Sequence, residues 1–528
     1  MADGSTTERR SRLADLKKAI DGADSKNDLI AKINETLDVP EPDGDPATVR
    51  GAASRYKKAA GPSDEAHVKV RQVAASGLPD VWTGTTGVKA AESVAATGRA
   101  VQQMTDAFQE ASTVLLRLSD SLEQVQKLDT DGRSDLRQAL SILGSEDGFF
   151  DDWVEKDAEE AERKRAQGFA SNGAGLMHRA AVVADDAARA AARDLNKLAS
   201  EARAGKMATD ELSATDRIAL ADTSSADGPA ELNEILTATD LQRSGQRMER
   251  MNARDRAEFE KMLSEAKSPE ERAYLTKALA AGHDMDTVRE FRGKIHGRDP
   301  QWLREHLTPV WTADDSMKDE GRNDDGSNVN TDSVAHGSQQ WSQGGNRSEG
   351  TCVASSTVNA RAMVDPVYAL QLIGGESGTD DSEKAFRERL IDEQHRVHED
   401  GDGGDGWNGM GREGKEEVLG NEISPHTGAE YEYRDLREGA DARRDVLPEI
   451  EKAVAEGQPV PIGVEGTNAE GERTGHAMMI IGQEGDMLQV YNPWGTTTWV
   501  SEEDFIHGRM DKASDNRMPN AYAVHIPK

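Results

Sequence analysis

A heptad pattern of apolar residues between positions 101 and 125 constrains the fold of this chain more than any other feature. Apolar side chains recur at alternating steps of three and four residues, and only an α-helix places such residues on one face. The members are Val101, Met104, Phe108, Ala111, Leu115, Leu118, Leu122 and Val125. A stripe of this length needs a second helix to cover it. We therefore predict a helical hairpin within the chain, or a helical partner or self-association through the 101–125 seam.

The sequence around this seam predicts a mainly helical amino-terminal region. Short helices are expected in residues 1–60, a long helical hairpin or coiled coil in residues 61–205, and a small helical bundle in residues 206–312. Within the bundle, Ser268 followed by proline and by Glu271 is typical of a helix start.

The pattern changes after residues 313–345, which are polar, rich in Gly and Asn, and without periodicity, and which predict a flexible linker. A helix is predicted over Cys352–Leu372. Apolar runs typical of strands follow at Pro459–Val464, Ala477–Gly482, Met487–Tyr491 and Ala521–Ile526. A helix followed by antiparallel strands predicts an α+β domain over residues 346–528. The predicted fold class is therefore multidomain, mainly α at first and α+β at the end.

Composition excludes several classes of protein. Hydrophobic residues make up 36% of the chain and aromatic residues 4%, which is too little for one thick core. A net charge of −34 repels nucleic acid. The chain has no run of about 18 apolar residues, so no membrane span is predicted. Because the first residues lack an apolar signal sequence, we expect secretion without a cleavable signal peptide, or otherwise a cytoplasmic protein.

The candidate nucleophile is the only cysteine of the chain, Cys352. A single cysteine excludes an internal disulfide and a Cys-cluster zinc site. A thiol attacks a carbonyl group as its thiolate, which the amino terminus of a helix and a neighbouring imidazolium both favour. Gly350 would let a substrate approach the backbone N–H of Cys352, and Asn346 could supply a side-chain donor to the oxyanion.

The candidate base and its orienting group come from the predicted strands. His476 follows Gly475 at the start of one apolar run, and Asn492 ends the next. Because these positions are adjacent ends of a predicted hairpin, the amide can orient the imidazole through a hydrogen bond. Trp494 can shield that bond from water, and Trp407 could line a substrate cleft.

These motifs resemble the papain-like cysteine peptidases. The matching segments are Asn346-x-x-x-Gly350-x-Cys352, Gly475-His476-Ala477 and Asn492-Pro493-Trp494-Gly495, the last being closest to the calpain branch. His476 lies 124 residues and Asn492 lies 140 residues after Cys352, against roughly 130–150 in papain-type enzymes. The resemblance implies a protein or peptide substrate, an acyl-enzyme on Cys352, hydrolysis by water that His476 activates, and no cofactor.

The resemblance leaves the oxyanion donor and the reaction open. The family usually has Gln at the position of Asn346, so Gln339, Gln340 or Gln343 is an alternative donor. It also usually has Trp at the position of Val353. A deamidase or an acyltransferase would use the same triad, because all three reactions share an acyl-enzyme. A third alternative is a helical interaction protein whose papain-like domain is inactive.

A second resemblance concerns the helical region. Trp82-Thr83-Gly84, just before the seam, is similar to the WXG-type helical hairpins of type VII secretion substrates in Gram-positive bacteria. The alternative is an ordinary turn with a buried tryptophan, and the Tyr-x-x-x-Asp/Glu signal of such substrates is absent after the hairpin. Together the two resemblances imply a bacterial secreted effector or toxin.

No metal site is predicted from the sequence. The loop of residues 400–407 is rich in Asp and Gly, but Gly404 and Gly411 occupy positions where an EF-hand needs ligands. His395 and His398 are spaced like neighbours on a helix face, but the sequence offers them no further ligand.

Overall fold

The structure of the protein is a computed structural model, which defines most of the chain. The described residues are 6–81, 85–144, 157–206, 235–309, 312–313, 341–344, 349–374, 380–405, 408–467, 471–484, 486–514 and 518–528. They form two compact units. Residues 1–58 and 109–195 make the first unit, and residues 59–108 and 196–528 make the second. Helices dominate the chain and an antiparallel sheet lies near its end, in agreement with the predicted order of a helical region and an α+β domain.

Helices make up the described parts of the amino-terminal region. They are α1 (Thr6–Asp21), α2 (Lys26–Leu37), α3 (Pro46–Gln72), α4 (Leu78–Val81), α5 (Thr85–Leu143) and α6 (Asp157–Lys206), with a π-helical turn at Val73–Gly77. In the first unit, Leu13 and Ile33 of the two short helices are buried in one core with Leu136 of α5 and Ala170 of α6. Two short helices do lie in residues 1–60, as the sequence predicted, and they bury their apolar faces against the long ones.

The two long helices approach each other closely at a pair of glycines. A Cβ atom on Gly132 would lie 2.6 Å from the carbonyl oxygen of Gly173, and a Cβ atom on Gly173 would lie 2.6 Å from that of Gly132. Such separations are shorter than any ordinary contact, so only glycine fits on either side. A glycine inside a helix usually weakens the helix. α6 nevertheless continues unbroken through Gly173, and the close packing against α5 requires a glycine at that position.

The seam of α5 is covered in part by the same chain. The Ser119 hydroxyl donates to the Pro46 carbonyl oxygen at 2.9 Å, and Gln126 Nε2 donates to that of Gly44 at 2.9 Å. Both Leu122 methyl carbons would lie 3.2 Å from a Cβ atom on Gly44. Self-association through the remainder of the seam stays a prediction. So does secretion, because Trp82-Thr83-Gly84 lies outside the described residues.

A bundle of shorter helices follows in the second unit. It comprises α7 (Ala238–Arg250), α8 (Ala253–Glu265), α9 (Pro269–Ala280), α10 (Met285–Ile295) and α11 (Pro300–Leu307). The predicted helix start is confirmed, since the Ser268 hydroxyl accepts from the Glu271 backbone N–H at 3.1 Å. The bundle core also contains Val367 and Leu370. The bundle therefore shares a core with the carboxy-terminal domain.

The carboxy-terminal domain contains helices on a seven-stranded sheet. The helices are α12 (Cys352–Val364), α13 (Pro366–Ile373), α14 (Glu383–Asp400), α15 (Arg412–Glu422), α16 (Ser424–Thr427), α17 (Ala440–Ala455) and α18 (Glu502–His507). The predicted single helix over Cys352–Leu372 is wrong. Pro366 disfavours helical backbone in the preceding residue, and Asp365 instead ends α12 and caps α13.

The sheet places its strands in the order β1-β6-β5-β4-β3-β7-β2. The strands are β1 (Thr312–Ala313), β2 (Tyr431–Asp435), β3 (Val460–Thr467), β4 (Arg473–Glu484), β5 (Met487–Asn492), β6 (Thr496–Ser501) and β7 (Asn520–Pro527). All pairs are antiparallel except that of β1 with β6. The four predicted strands are confirmed, and β4 and β5 form the predicted hairpin, with Met479 opposite Tyr491.

The start of this domain lies earlier than the predicted position 346. Trp341 is fully buried in the domain, the Gln343 backbone N–H donates to the Pro493 carbonyl oxygen at 2.6 Å, and Gln394 Nε2 donates to that of Ser342 at 3.1 Å. An indole of this size anchors its segment to the core, so residues 341–344 belong to the domain and not to the linker. Across the described helices, none combines the length and apolar character that a membrane crossing requires.

The glycine contact between α5 and α6 makes a direct prediction. Gly173→Ala should lower the free energy of unfolding by about 1–3 kcal/mol, because the added methyl group would overpack the contact. Gly168→Ala is the matched control in the same helix, since a Cβ atom added there would meet no heavy atom within 4 Å. This substitution should raise stability by roughly 0.5–1 kcal/mol. Calorimetric melting of the two full-length variants tests the pair, and equal effects would contradict the assigned contact.

Candidate active site

Cys352 is the first residue of α12, and its side chain is half-buried. It packs against a core that includes Trp341, Val353 and Ala477. The first turn of a helix carries unpaired backbone N–H groups and a partial positive charge, and both favour a thiolate over a thiol. Cys352 therefore lies at the amino terminus of a helix, as the sequence predicted.

His476 and Asn492 come together at the β4–β5 hairpin. The distance between His476 Nε2 and Asn492 Oδ1 is 3.0 Å, and both side chains are buried. Asn492 is itself held, because its Nδ2 donates to the Ala513 carbonyl oxygen at 2.8 Å. Asn492 Oδ1 can only accept, so His476 donates from Nε2. Nδ1 is then the ring nitrogen that remains for the thiol of Cys352, with which His476 makes a side-chain hydrogen bond.

Trp494 covers this arrangement. Its ring stacks on the His476 ring with a centroid separation of 5.0 Å and an interplanar angle of 28°. Its backbone N–H donates to Asn492 Oδ1 at 3.0 Å. Trp494 lies in the turn between β5 and β6, two residues after Asn492. The indole therefore lies where it can limit the access of water to the hydrogen bond between the ring and the amide; that shielding stays a prediction.

Opposing influences act on the pKa of Cys352. Burial is the largest and raises the pKa of the thiol. The hydrogen bond with His476, the charge of that ring, the backbone N–H of Ala477 and the charge of Lys415 all lower it. Together they outweigh burial, so the pKa of Cys352 lies below the ordinary value of a thiol. The site therefore favours a thiolate at lower pH than free cysteine does.

The other predicted site residues have varied positions. Gly350 lies in the bend before α12, and Gly475 lies on β4 opposite Glu465. A Cβ atom on Gly475 would meet its nearest neighbour at 3.5 Å, an ordinary contact, so the structure does not require glycine there. The predicted oxyanion donor Asn346 and the predicted cleft residue Trp407 both lie outside the described residues.

Of the three alternative oxyanion donors, Gln343 lies among the described residues, and Gln339 and Gln340 do not. Its side chain is buried, and its Nε2 donates to the Glu349 carbonyl oxygen at 3.0 Å. This contact ties the segment before the helix to the loop that leads into Cys352. In this structure the Gln343 side chain therefore helps to position the loop before Cys352.

A cavity of about 380 Å³ lies next to the site and was not apparent from the sequence. Val353 and Ala477, the chain neighbours of Cys352 and His476, form part of its wall. Four cationic side chains also line it: Arg412, Lys415, Arg437 and Arg473. The wall further includes Tyr433, Asp435 and Tyr522. No sequence signal pointed to this cavity, because its lining comes from several separate helices and strands.

Lys415 differs from the other cations of the cavity. Arg412, Arg437 and Arg473 each form an ion pair with a carboxylate. Among the described residues no carboxylate lies within ion-pair distance of Lys415, whose Nζ donates to the Tyr522 hydroxyl at 3.2 Å. Its charge also lowers the pKa of Cys352. Lys415 is therefore a cation in the cavity that a bound anion can reach.

Comparisons of the chain with protein-family models, curated proteins and solved structures found no match.

The environment of Cys352 predicts an early thiol titration. Iodoacetamide should label the full-length protein with an apparent pKa below about 8.5, the value of free cysteine. The labelling rate should fall as the pH decreases through that lowered pKa, because the thiolate is then protonated. His476→Ala should raise the apparent pKa, since the imidazole is the main group that opposes the effect of burial. The measurement is the labelling rate between pH 5 and 10.

His507→Ala is the control for this measurement. His507 lies in α18 and contacts Glu503, so its removal should leave the profile unchanged. A wild-type profile centred near about 8.5, or one that His476→Ala does not move, would show that the imidazole does not act on the sulfur.

Proposed function

We propose that the protein is a cysteine-dependent amide hydrolase of the papain-like type, and that it cleaves peptide bonds. The observation that supports this most directly is the hydrogen-bonded series of Cys352, His476 and Asn492. A thiol with a lowered pKa, an imidazole beside it and an amide that orients the imidazole are what nucleophilic attack on an amide requires.

The proposed reaction uses these groups in turn. The Cys352 proton passes to His476 Nδ1, and the thiolate sulfur bonds to the substrate carbonyl carbon. The carbon–nitrogen bond then breaks, and the leaving amine takes the proton from the imidazole. His476 next removes a proton from water, whose oxygen attacks the thioester carbon. The carbon–sulfur bond breaks, and the sulfur leaves as a thiolate that takes back the proton.

Asn492 and Trp494 support this cycle without reacting. The hydrogen bond from Nε2 to Asn492 Oδ1 holds the ring so that Nδ1 stays toward the sulfur, and it stabilises the imidazolium that forms. The indole face excludes water from that bond, which strengthens it. The backbone N–H groups at the start of α12 are candidate donors to a developing oxyanion.

Activity on peptides tests the proposal. The wild-type chain should cleave members of a peptide library, and Cys352→Ala should abolish cleavage. His476→Ala should lower kcat/KM by about 10²–10⁴-fold, the usual contribution of a general base. Asn492→Ala should cause a smaller loss, because the ring keeps its base but loses its orientation. Mass spectrometry of the products measures each rate.

The same assay separates the alternatives. His507→Ala is again the matched histidine control and should retain full activity. Conversion of glutamine or asparagine side chains without chain cleavage would instead identify a deamidase. Cleavage that persists in Cys352→Ala would rule out the thiol as nucleophile.

The cavity beside the site supports a preference for acidic substrates. Four cationic side chains line it; three of them are paired with carboxylates, and Lys415 has no such pair among the described residues. Lys415 can donate to a substrate carboxylate, while Tyr522 and Tyr433 offer ring faces beneath the arginines. We propose that an aspartate or glutamate side chain near the scissile bond binds there.

Lys415→Gln tests this preference. The variant should lower the ratio of kcat/KM for an acidic peptide to that for its neutral amide counterpart by at least about tenfold, since a hydrogen bond to a charged group contributes roughly 1.5–3 kcal/mol. Using the ratio cancels any effect of Lys415 on the thiol. Lys384→Gln, an exposed lysine on α14, should leave the ratio unchanged. An unchanged ratio in Lys415→Gln would refute the assignment.

A further inference from the structure

Three potential metal ligands from distant parts of the sequence meet on the side of the second unit where the bundle packs on the carboxy-terminal domain. His283 lies between α9 and α10, Asp365 lies between α12 and α13, and His426 lies in α16. One ligand atom of each residue lies within 4.8 Å of the other two. Two imidazoles and one carboxylate form a donor set that suits divalent transition metals.

The carboxylate of Asp365 has one oxygen satisfied and one not. Oδ1 accepts from His283 Nε2 at 2.8 Å and from the backbone N–H groups of Val367 at 3.0 Å and Tyr368 at 3.3 Å. Oδ2 is buried without a hydrogen-bond partner among the described residues, on a side chain that is 0% exposed. A buried carboxylate oxygen without a hydrogen bond is costly, and a bound cation would remove that cost.

The spacing of the donors also fits a metal ion. Asp365 Oδ2 lies 3.4 Å from His426 Nδ1. Two ligands at about 2.0–2.2 Å from a tetrahedral zinc ion lie roughly 3.3–3.5 Å apart. The Ala281 carbonyl oxygen is 2.9 Å from the same nitrogen, so a possible fourth donor atom lies nearby. Neutral imidazoles become ligands here once the ring proton moves to the other nitrogen.

We propose that His283 Nε2, Asp365 Oδ2 and His426 Nδ1 bind a divalent transition metal ion, with Zn²⁺ as the ion to test. The ion would join the bundle to the two helices that meet at Asp365. Its role is structural, because α12 has 13 residues and at about 1.5 Å per residue its far end lies roughly 20 Å from Cys352. The site does not depend on the proposed hydrolase activity.

Zinc binding to the full-length Cys352→Ala chain tests this site, because that background removes the thiol as a competing ligand. After dialysis against a chelator, titration against a fluorescent zinc indicator should give one equivalent of tightly bound Zn²⁺. His283→Ala and His426→Ala should each weaken binding by at least about 100-fold, since each removes a direct ligand. Zn²⁺ should raise the melting temperature of the parent chain but not of these variants.

Two further variants make the test decisive. Asp365→Asn keeps an oxygen that can cap α13 but loses the charge, so it should fold and bind Zn²⁺ weakly. His507→Ala is the control and should bind like the parent. Binding that survives His283→Ala in a chain whose melting in chelator matches the parent would place the zinc elsewhere. A parent chain that binds no Zn²⁺ would show that the three residues form only a hydrogen-bonded cluster.

Discussion

The hydrogen bond between Asn492 and His476 is the contact on which the rest of the site depends. Burial of Cys352 favours the protonated thiol, and the imidazole is the main group that opposes it. A ring that could rotate would offer its nitrogen to the sulfur only part of the time. Because Asn492 is fixed in turn by the Ala513 carbonyl oxygen, the orientation of the ring depends on a backbone group in the segment between α18 and β7.

The sheet supplies the imidazole and the amide, and one helix supplies the sulfur. β4 and β5 carry the imidazole and the amide on neighbouring strands, and α12 presents the sulfur from its first turn. The sheet pairing fixes the relative positions of the first two residues. The segment around Trp341 and Gln343 lies against the same strands and contacts Pro493. Rigid elements thus hold all three groups, while the cavity next to them is left open for a ligand.

Much of this arrangement follows from local sequence signals. The strong apolar runs predicted β3, β4, β5 and β7, and the order of the three motifs indicated which residues would meet. The strand β2 was missed because Tyr431–Asp435 alternates tyrosine with charged residues at the edge of the sheet, and β6 because its threonines carry little apolar signal. The break at Asp365 did have a local signal, since Pro366 directly follows it and disfavours helical backbone there.

The remaining features depend on tertiary contacts that no short window of sequence contains. Lys415 reaches the cavity from a helix with no motif of its own, and the Ala477 backbone N–H acts through its position beside the sulfur. His283 and His426 are separated along the chain from Asp365, so their spacing carried no metal signature. The burial of Trp341 likewise moves the domain boundary into a stretch whose composition is that of a linker.

The solitary thiol has a chemical consequence. A cysteine with thiolate character is the kind that peroxide oxidises first, and its sulfenic acid is normally rescued when a second cysteine condenses with it. This chain has no other cysteine, so no resolving partner exists within it. Recovery of an oxidised Cys352 would depend on small-molecule thiols in the surroundings, and without them further oxidation to the sulfinic acid would be permanent.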